Sequence, residues 1–170
     1  MGETAQTPMK GAVSEAINEQ IKHEFESAYI YLSMAASFEE ASLPGMARWM
    51  RHQSEEELEH GKKFMNFLLD RGEHVRLLGI DQPPDSFRTP LDAFEQALEH
   101  EKFITGRIHE LYELAVREND YPAQVLLQWF IEEQVEEEQM TSEIVDRLRL
   151  AGDDGSAILL LDRELGERGE

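Results

Sequence analysis

Four long stretches of this chain repeat apolar residues every three or four positions, and each carries an acid on that stripe near its middle. The period is that of a helix with one buried face. The first stripe runs through Ile17, Ile21, Ala28, Tyr31 and Ala35, with Glu24 between Ile21 and Ala28. The second passes Met46, Met50, Phe64 and Leu68, and the intervening positions are Gln53, Glu57 and His60. The third follows Phe94, Leu98, Ile108 and Leu111, with Glu101 on the line. The fourth follows Leu126, Phe130, Ile144 and Leu148, and crosses Glu133, Gln134, Glu137 and Met140. A carboxylate in a core costs several kcal/mol unless it is paired, protonated or bound to a metal. Few lysines or arginines fall on these faces, so a cation is the simplest way to hold four acids together.

Gly and Pro mark where the helices stop. The first runs from about Lys10 to Glu40, ahead of Leu43-Pro44-Gly45, and the second from Gly45 to Arg71, ahead of Gly72. The third begins at Thr89-Pro90, a cap followed by proline in the first turn, and continues to Glu118. Asn119-Asp120-Tyr121-Pro122 breaks it before a fourth helix that reaches Leu150, and a short last segment spans Ser156 to Leu165. Between helices two and three, Glu73 to Pro90 holds Gly79, Pro83 and Pro84 and shows no helical period. Two tight turns and one long connection predict an all-α four-helix bundle of two hairpins, with a crossover between helices two and three and a short fifth helix. Residues 1–9 read as a flexible polar leader and 10–170 as a single domain.

Composition narrows the chemistry. The chain has 170 residues and no cysteine, which excludes a disulfide scaffold, a thiolate zinc site and an iron–sulfur cluster. Its 36 acids against 16 basic residues give a formal charge of −20, the wrong sign for a nucleic-acid surface. No apolar run is long enough for a membrane span, and no basic segment precedes a hydrophobic one at the N-terminus, so a cytoplasmic location is expected.

Glu57-x-x-His60 puts a carboxylate and an imidazole on one helix face, where both can reach one metal. With Glu24 and Glu101 opposite, the set approaches a di-iron carboxylate pattern of one Glu from each of two helices and Glu-x-x-His from the other two. The fourth helix departs from it, offering Gln134-x-x-Glu137, and no histidine follows His109. One imidazole among hard oxygen ligands suits iron that comes and goes better than a tightly fixed cofactor.

Several stretches together resemble the non-haem ferritins of bacteria and archaea, from about Met9 to Leu165. They are Asn18-Glu19-Gln20 with His23-Glu24, the run Glu55 to His60, His100-Glu101-Lys102-Phe103-Ile104, Gln128 to Glu138, and the ending Leu161-Asp162-Arg163-Glu164-Leu165. The resemblance implies a ferroxidase centre in which Glu24, Glu57 and His60 hold a first iron, with Gln134 nearby. Glu57 would bridge to a second iron held by Glu101 and Glu137. Glu56, Glu133 and Glu136, sharing Glu137, match a third iron position, although a solvated helix face accounts for those three acids equally simply. Tyr31 matches a tyrosine that can donate an electron or a hydrogen bond beside the centre; its plainer reading is a half-buried aromatic. Leu58 stands where haem-containing relatives place their haem-ligating methionine, so no haem is expected.

The same resemblance implies oxidation of Fe(II) by dioxygen or hydrogen peroxide and self-assembly into a 24-subunit cage that stores ferric mineral. The rival readings are another di-iron carboxylate oxidase or peroxidase, and a passive iron-buffering shell subunit.

Overall fold

A computed structural model describes residues 11–168, and the expected leader at 1–9 lies outside them. Five helices follow one another: α1 (Gly11–Glu40), α2 (Pro44–Asp70), α3 (Pro90–Arg117), α4 (Tyr121–Ala151) and α5 (Gly155–Gly166). The boundaries agree with the sequence reading to within a residue or two. Helix α1 packs on α2, α3 on α4, and α5 folds back onto α2.

The helix ends show why the breaks fall where they do. Three helices stop on a residue of left-handed backbone: Ser42 (φ 61°) after α1, Gly72 (φ 72°) after α2 and Asn119 (φ 52°) after α3. At each, the next amide reaches back to a carbonyl of the last turn: Leu43 to Phe38, Glu73 to Leu68 and Asp120 to Ala115, at 2.9 Å in every case. This closure satisfies carbonyls that would otherwise lack a donor. Thr89 caps α3 by accepting from the Asp92 amide at 3.0 Å, and Asp120 caps α4 by accepting from Ala123 at 3.1 Å.

Helix α2 has no cap of its own, since Leu43 precedes it. Asp162 of α5 supplies one, its Oδ1 accepting from the Met46 amide at 2.7 Å. The approach is close: a Cβ at Gly45 would overlap the Asp162 carbonyl, and one at Gly166 would sit 3.0 Å from the Gly45 Cα. Arg48 Nη1 then donates to the Gly166 carbonyl at 2.8 Å. The fifth helix is thus locked to the start of α2 by backbone contact that only glycine allows.

The crossover runs beside α1. Asn18 clamps its start, donating to the His74 carbonyl at 3.0 Å and accepting from the Arg76 amide at 2.7 Å, while Ser33 donates to the Pro84 carbonyl at 2.6 Å. Ser33 lies roughly 22 Å along α1 from Asn18, at 1.5 Å per residue.

Two apolar clusters fill the bundle. One gathers Phe38, Trp49, Phe94, Ile144 and Leu161 around Met34, Met46 and Met50. The other gathers Ile17, Ile21, Phe64, Ile104, Ile108 and Phe130, with the Phe64 and Phe130 rings stacked at 4.0 Å. On α4 the buried positions are Leu127 and Thr141, one residue beyond the Leu126 and Met140 expected from the stripe, and both expected residues are only partly buried. Between the clusters every long helix crosses a polar layer.

Gly45→Ala is expected to destabilise the protein by about 1–3 kcal/mol, the usual cost of overpacking. Asp162→Ala should cost about 0.5–2 kcal/mol as a lost cap. Denaturant midpoints measure both, and an unchanged midpoint for Gly45→Ala would disprove the α2–α5 lock.

Candidate metal centre

The polar layer is built from all four long helices. Helix α1 brings Glu24 and Tyr31, α2 brings Gln53, Glu57 and His60, α3 brings Glu101, and α4 brings Gln134 and Glu137. None is more than 5% exposed, so water does little to screen these charges. Tyr31, expected to be half-buried, is wholly buried.

Glu57 and His60 are three residues apart, and the imidazole Nδ1 lies 3.2 Å from Glu57 Oε2. Glu24 joins them from the facing helix, and one ligand atom from each of the three lies within 4.8 Å of the others. Gln20, one turn before Glu24, donates to its Oε1 at 2.9 Å. Glu24 Oε2 and Glu57 Oε1 find no donor among the described residues. Two buried carboxylate oxygens in that condition require either a proton between them or a cation.

The α3 and α4 acids are differently served. Both Glu101 oxygens are engaged: Oε1 by the Tyr31 hydroxyl in a short hydrogen bond, Oε2 by Gln134 Nε2 at 3.1 Å. Gln134 also donates to the Glu101 carbonyl and to Thr105 Oγ1, each at 3.2 Å. The glutamine expected beside Glu24, Glu57 and His60 therefore turns toward Glu101. Glu137 Oε2 accepts from Gln53 Nε2 at 2.7 Å.

Burial dominates the electrostatics. It raises Glu57 well above the ordinary carboxyl range, reinforced by the charges of Glu101 and Glu24. Burial and the charge of Glu101 push Glu137 up to about 8. Burial raises Glu101 to about 7, although the hydrogen bonds from Tyr31 and Gln134 pull the other way. Tyr31 is raised well above its usual value by burial and then by Glu101, so its phenol keeps its proton. His100, next to Glu101 in sequence, stands apart from this set: its Nε2 is 2.6 Å from Ser27 Oγ, and burial lowers it to about 4, leaving it neutral.

The remaining predicted acids lie nearer the surface. Glu133 Oε1 is 3.9 Å from His60 Nε2, and its side chain is about a quarter exposed. Glu56 is partly exposed and Glu136 exposed, so these three do not share the burial of the central set. An open groove leads inward past Glu55, Glu56, Glu133 and Trp129 to His60. Trp129, expected in the core, is 37% exposed; its ring meets His60 edge-on at 5.5 Å, and Lys63 Nζ sits 3.3 Å from its centre.

Sequence reasoning passed over two supports of the centre. Gln20 could have been found from its i, i+4 spacing to Glu24. Arg168, which reaches Gln53 and Glu56 from the end of the chain, could not, because 112 residues separate it from Glu56. It also corrects the expectation that basic residues hardly touch these faces.

Comparison with known proteins converges on one group. Residues 14–151 match the ferritin-like domain family model. A bacterial non-haem ferritin from Staphylococcus saprophyticus is 40% identical over 154 residues, covering 91% of this chain and 92% of the relative. One from Staphylococcus aureus is 38% identical, covering 91% and 93%. Among solved structures, an open pore ferritin from Archaeoglobus fulgidus superposes with a TM-score of 0.93 at 46% identity, covering 94% of this chain and 99% of that one. The five-helix bundle, its buried carboxylate layer and these likenesses together establish that the chain belongs to the ferritin family, in its non-haem branch.

Proposed function

We propose that this chain is an iron-storage subunit that oxidises Fe(II) at the buried layer and passes Fe(III) to a mineral inside a cage of 24 copies. The observation that carries this reading is the pair of donorless carboxylate oxygens on Glu24 and Glu57, with His60 within 4.8 Å. Glu24, Glu57 and His60 hold one Fe(II). Glu57 bridges to a second, taken also by Glu101 and Glu137. Glu56, Glu133 and Glu136 offer a third position on the groove side. The kinship with non-haem ferritins supports storage and self-assembly. A cytoplasmic setting belongs to the same reading, and no described helix is long and apolar enough to cross a membrane.

Hard carboxylate oxygens favour the higher charge of Fe(III), which lowers the cost of removing an electron. Each Fe(II) loses one electron. Dioxygen takes the two and, with two protons, leaves as hydrogen peroxide; hydrogen peroxide taking the same two electrons and two protons leaves as two waters. Tyr31 and Gln134 hold Glu101 in place, the phenol by donating a hydrogen bond to one carboxylate oxygen and the amide by donating to the other. His60 is the one imidazole ligand, so neither iron is bound as a permanent cofactor would be.

Glu57→Ala combined with His60→Ala is expected to lower the initial rate of Fe(II) oxidation roughly 10- to 100-fold, the usual loss when a metal centre is dismantled. Stopped-flow oxygen consumption reads it directly. An unchanged rate would favour the passive iron-buffering shell. Negative-stain or cryo-electron microscopy of the purified protein tests the assembly, and particles smaller than 24 subunits would rule out that cage.

Stability should also depend on pH in a set direction. The folded values of Glu57, Glu101 and Glu137 are raised, so their contribution is fully present below the ordinary value of 4.5 and is lost as pH rises through about 7 and then about 8. The melting temperature of metal-free protein should therefore fall from about pH 4.5 to about pH 8 and level off above it. Zn(II) should abolish the fall and Glu137→Gln should flatten it. A metal-free melting temperature that holds level over that window would contradict the buried-carboxyl assignment.

A further inference from the structure

The end of the chain returns to the centre. Helix α5 is fixed at Gly166 by Gly45 and by Arg48, and two residues later Arg168 lies with its guanidinium 4.9 Å from the Trp49 ring. Arg168 Nη2 donates to Glu56 Oε2 at 3.0 Å, and Nη1 donates to Gln53 Oε1 at 2.5 Å. Gln53 is wholly buried, and its Nε2 donates to Glu137 Oε2 at 2.7 Å. The arginine side chain itself is only 23% exposed.

These contacts form a chain with a fixed direction. A guanidinium has five donors and no acceptor, and it keeps its charge at any ordinary pH. It can bind only the oxygen of the Gln53 amide, and the Gln53 NH₂ must then face Glu137. The same guanidinium places a positive charge on Glu56, one of the three acids assigned to the third iron position. A divalent cation drawing on the Glu56 carboxylate weakens the guanidinium's hold there and repels its charge, so the two compete for Glu56.

We propose that Arg168 is a positioning residue that serves as the resident counter-ion of the third cation position, so that a metal ion arriving at Glu56 must displace it. The inference rests on the iron-binding reading above and adds regulation to it. Arg168 keeps the third position weak, so a cation there is readily passed on. Displacing it also releases Gln53, which couples occupancy of the third position to the amide on Glu137 and to the end of α5. Linkage makes the coupling reciprocal: whatever loosens Arg168 strengthens cation binding at Glu56.

The test is anaerobic calorimetric titration of the assembled, metal-free protein with Zn(II), comparing wild type with Arg168→Ala, Arg168→Gln and Arg168→Lys. In wild type, two tight cations and a weaker third are expected per subunit. Arg168→Ala and Arg168→Gln should retain the tight pair and bind the third roughly 5- to 20-fold more tightly, within the usual range of coupling between sites. Arg168→Lys, which keeps the charge, should stay close to wild type; a merely structural arginine would not produce this rescue. Arg168→Gln preserves a hydrogen bond to Gln53 and guards against misfolding of the alanine variant. Crystals of wild type soaked in Zn(II) should show the guanidinium moved off Glu56 wherever the third position is filled. A third cation that binds no more tightly to Arg168→Ala and Arg168→Gln, with the tight pair intact, overturns this inference alone. Absence of a tight pair in wild type overturns the centre and this inference together.

Discussion

Four glutamates from four helices share one dry layer, and the rest of the molecule is organised around tolerating them. Each isolated buried carboxylate costs several kcal/mol, while a whole domain is stable by only about 5–15 kcal/mol. The layer is affordable because it is thin. Apolar clusters lie on either side of it, with Ile21, Phe64, Ile104 and Phe130 at one edge and Met34, Met50, Ala97 and Ile144 at the other. They hold the helices together where the glutamates push them apart. Burial first, and the neighbouring charges after it, raise the proton affinities of Glu57, Glu101 and Glu137, and a bound cation would offset both.

The layer is asymmetric in a way that bears on function. Among the described residues, the Glu24, Glu57 and His60 side leaves carboxylate oxygens without donors, whereas Glu101 and Glu137 are held by Tyr31, Gln134 and Gln53. Where a symmetric di-iron pattern would place a second glutamate and histidine, α4 carries Gln134 and Glu137, and Gln134 donates to Glu101. An amide that orients a neighbouring acid does not retain a metal. A surface groove lined by Glu55, Glu56, Glu133 and Trp129 borders His60 on the donor-poor side.

Much of this was legible in the sequence, for local reasons. Helix boundaries follow from Gly, Pro and capping residues acting within a few positions, so the five helices fall where the pattern puts them. Glu24, Glu57, His60, Glu101, Gln134 and Glu137 could be placed on the core face because helical period alone decides which side a residue faces. The stripe wandered by one residue on α3, choosing Leu98 over the buried Ala97, and on α4, choosing Leu126 and Met140 over Leu127 and Thr141 and taking in the partly buried Glu133 with Gln134; at Trp129 aromatic character suggested burial that the groove denies.

Contacts distant in sequence were not legible. Asn18 is an ordinary polar residue of α1 until the crossover passes over it, and Asp162 is one acid among many until α5 brings it to the uncapped start of α2. Arg168 gains its place beside Gln53 and Glu56 only because Gly45 and Gly166 let two backbones touch. The sequence by itself determined the helices, the faces they bury and the acids on those faces, because each depends on neighbours three or four residues away. Tertiary structure alone decided which carboxylate oxygens are satisfied and which are left for a cation, because that depends on donors delivered from other helices.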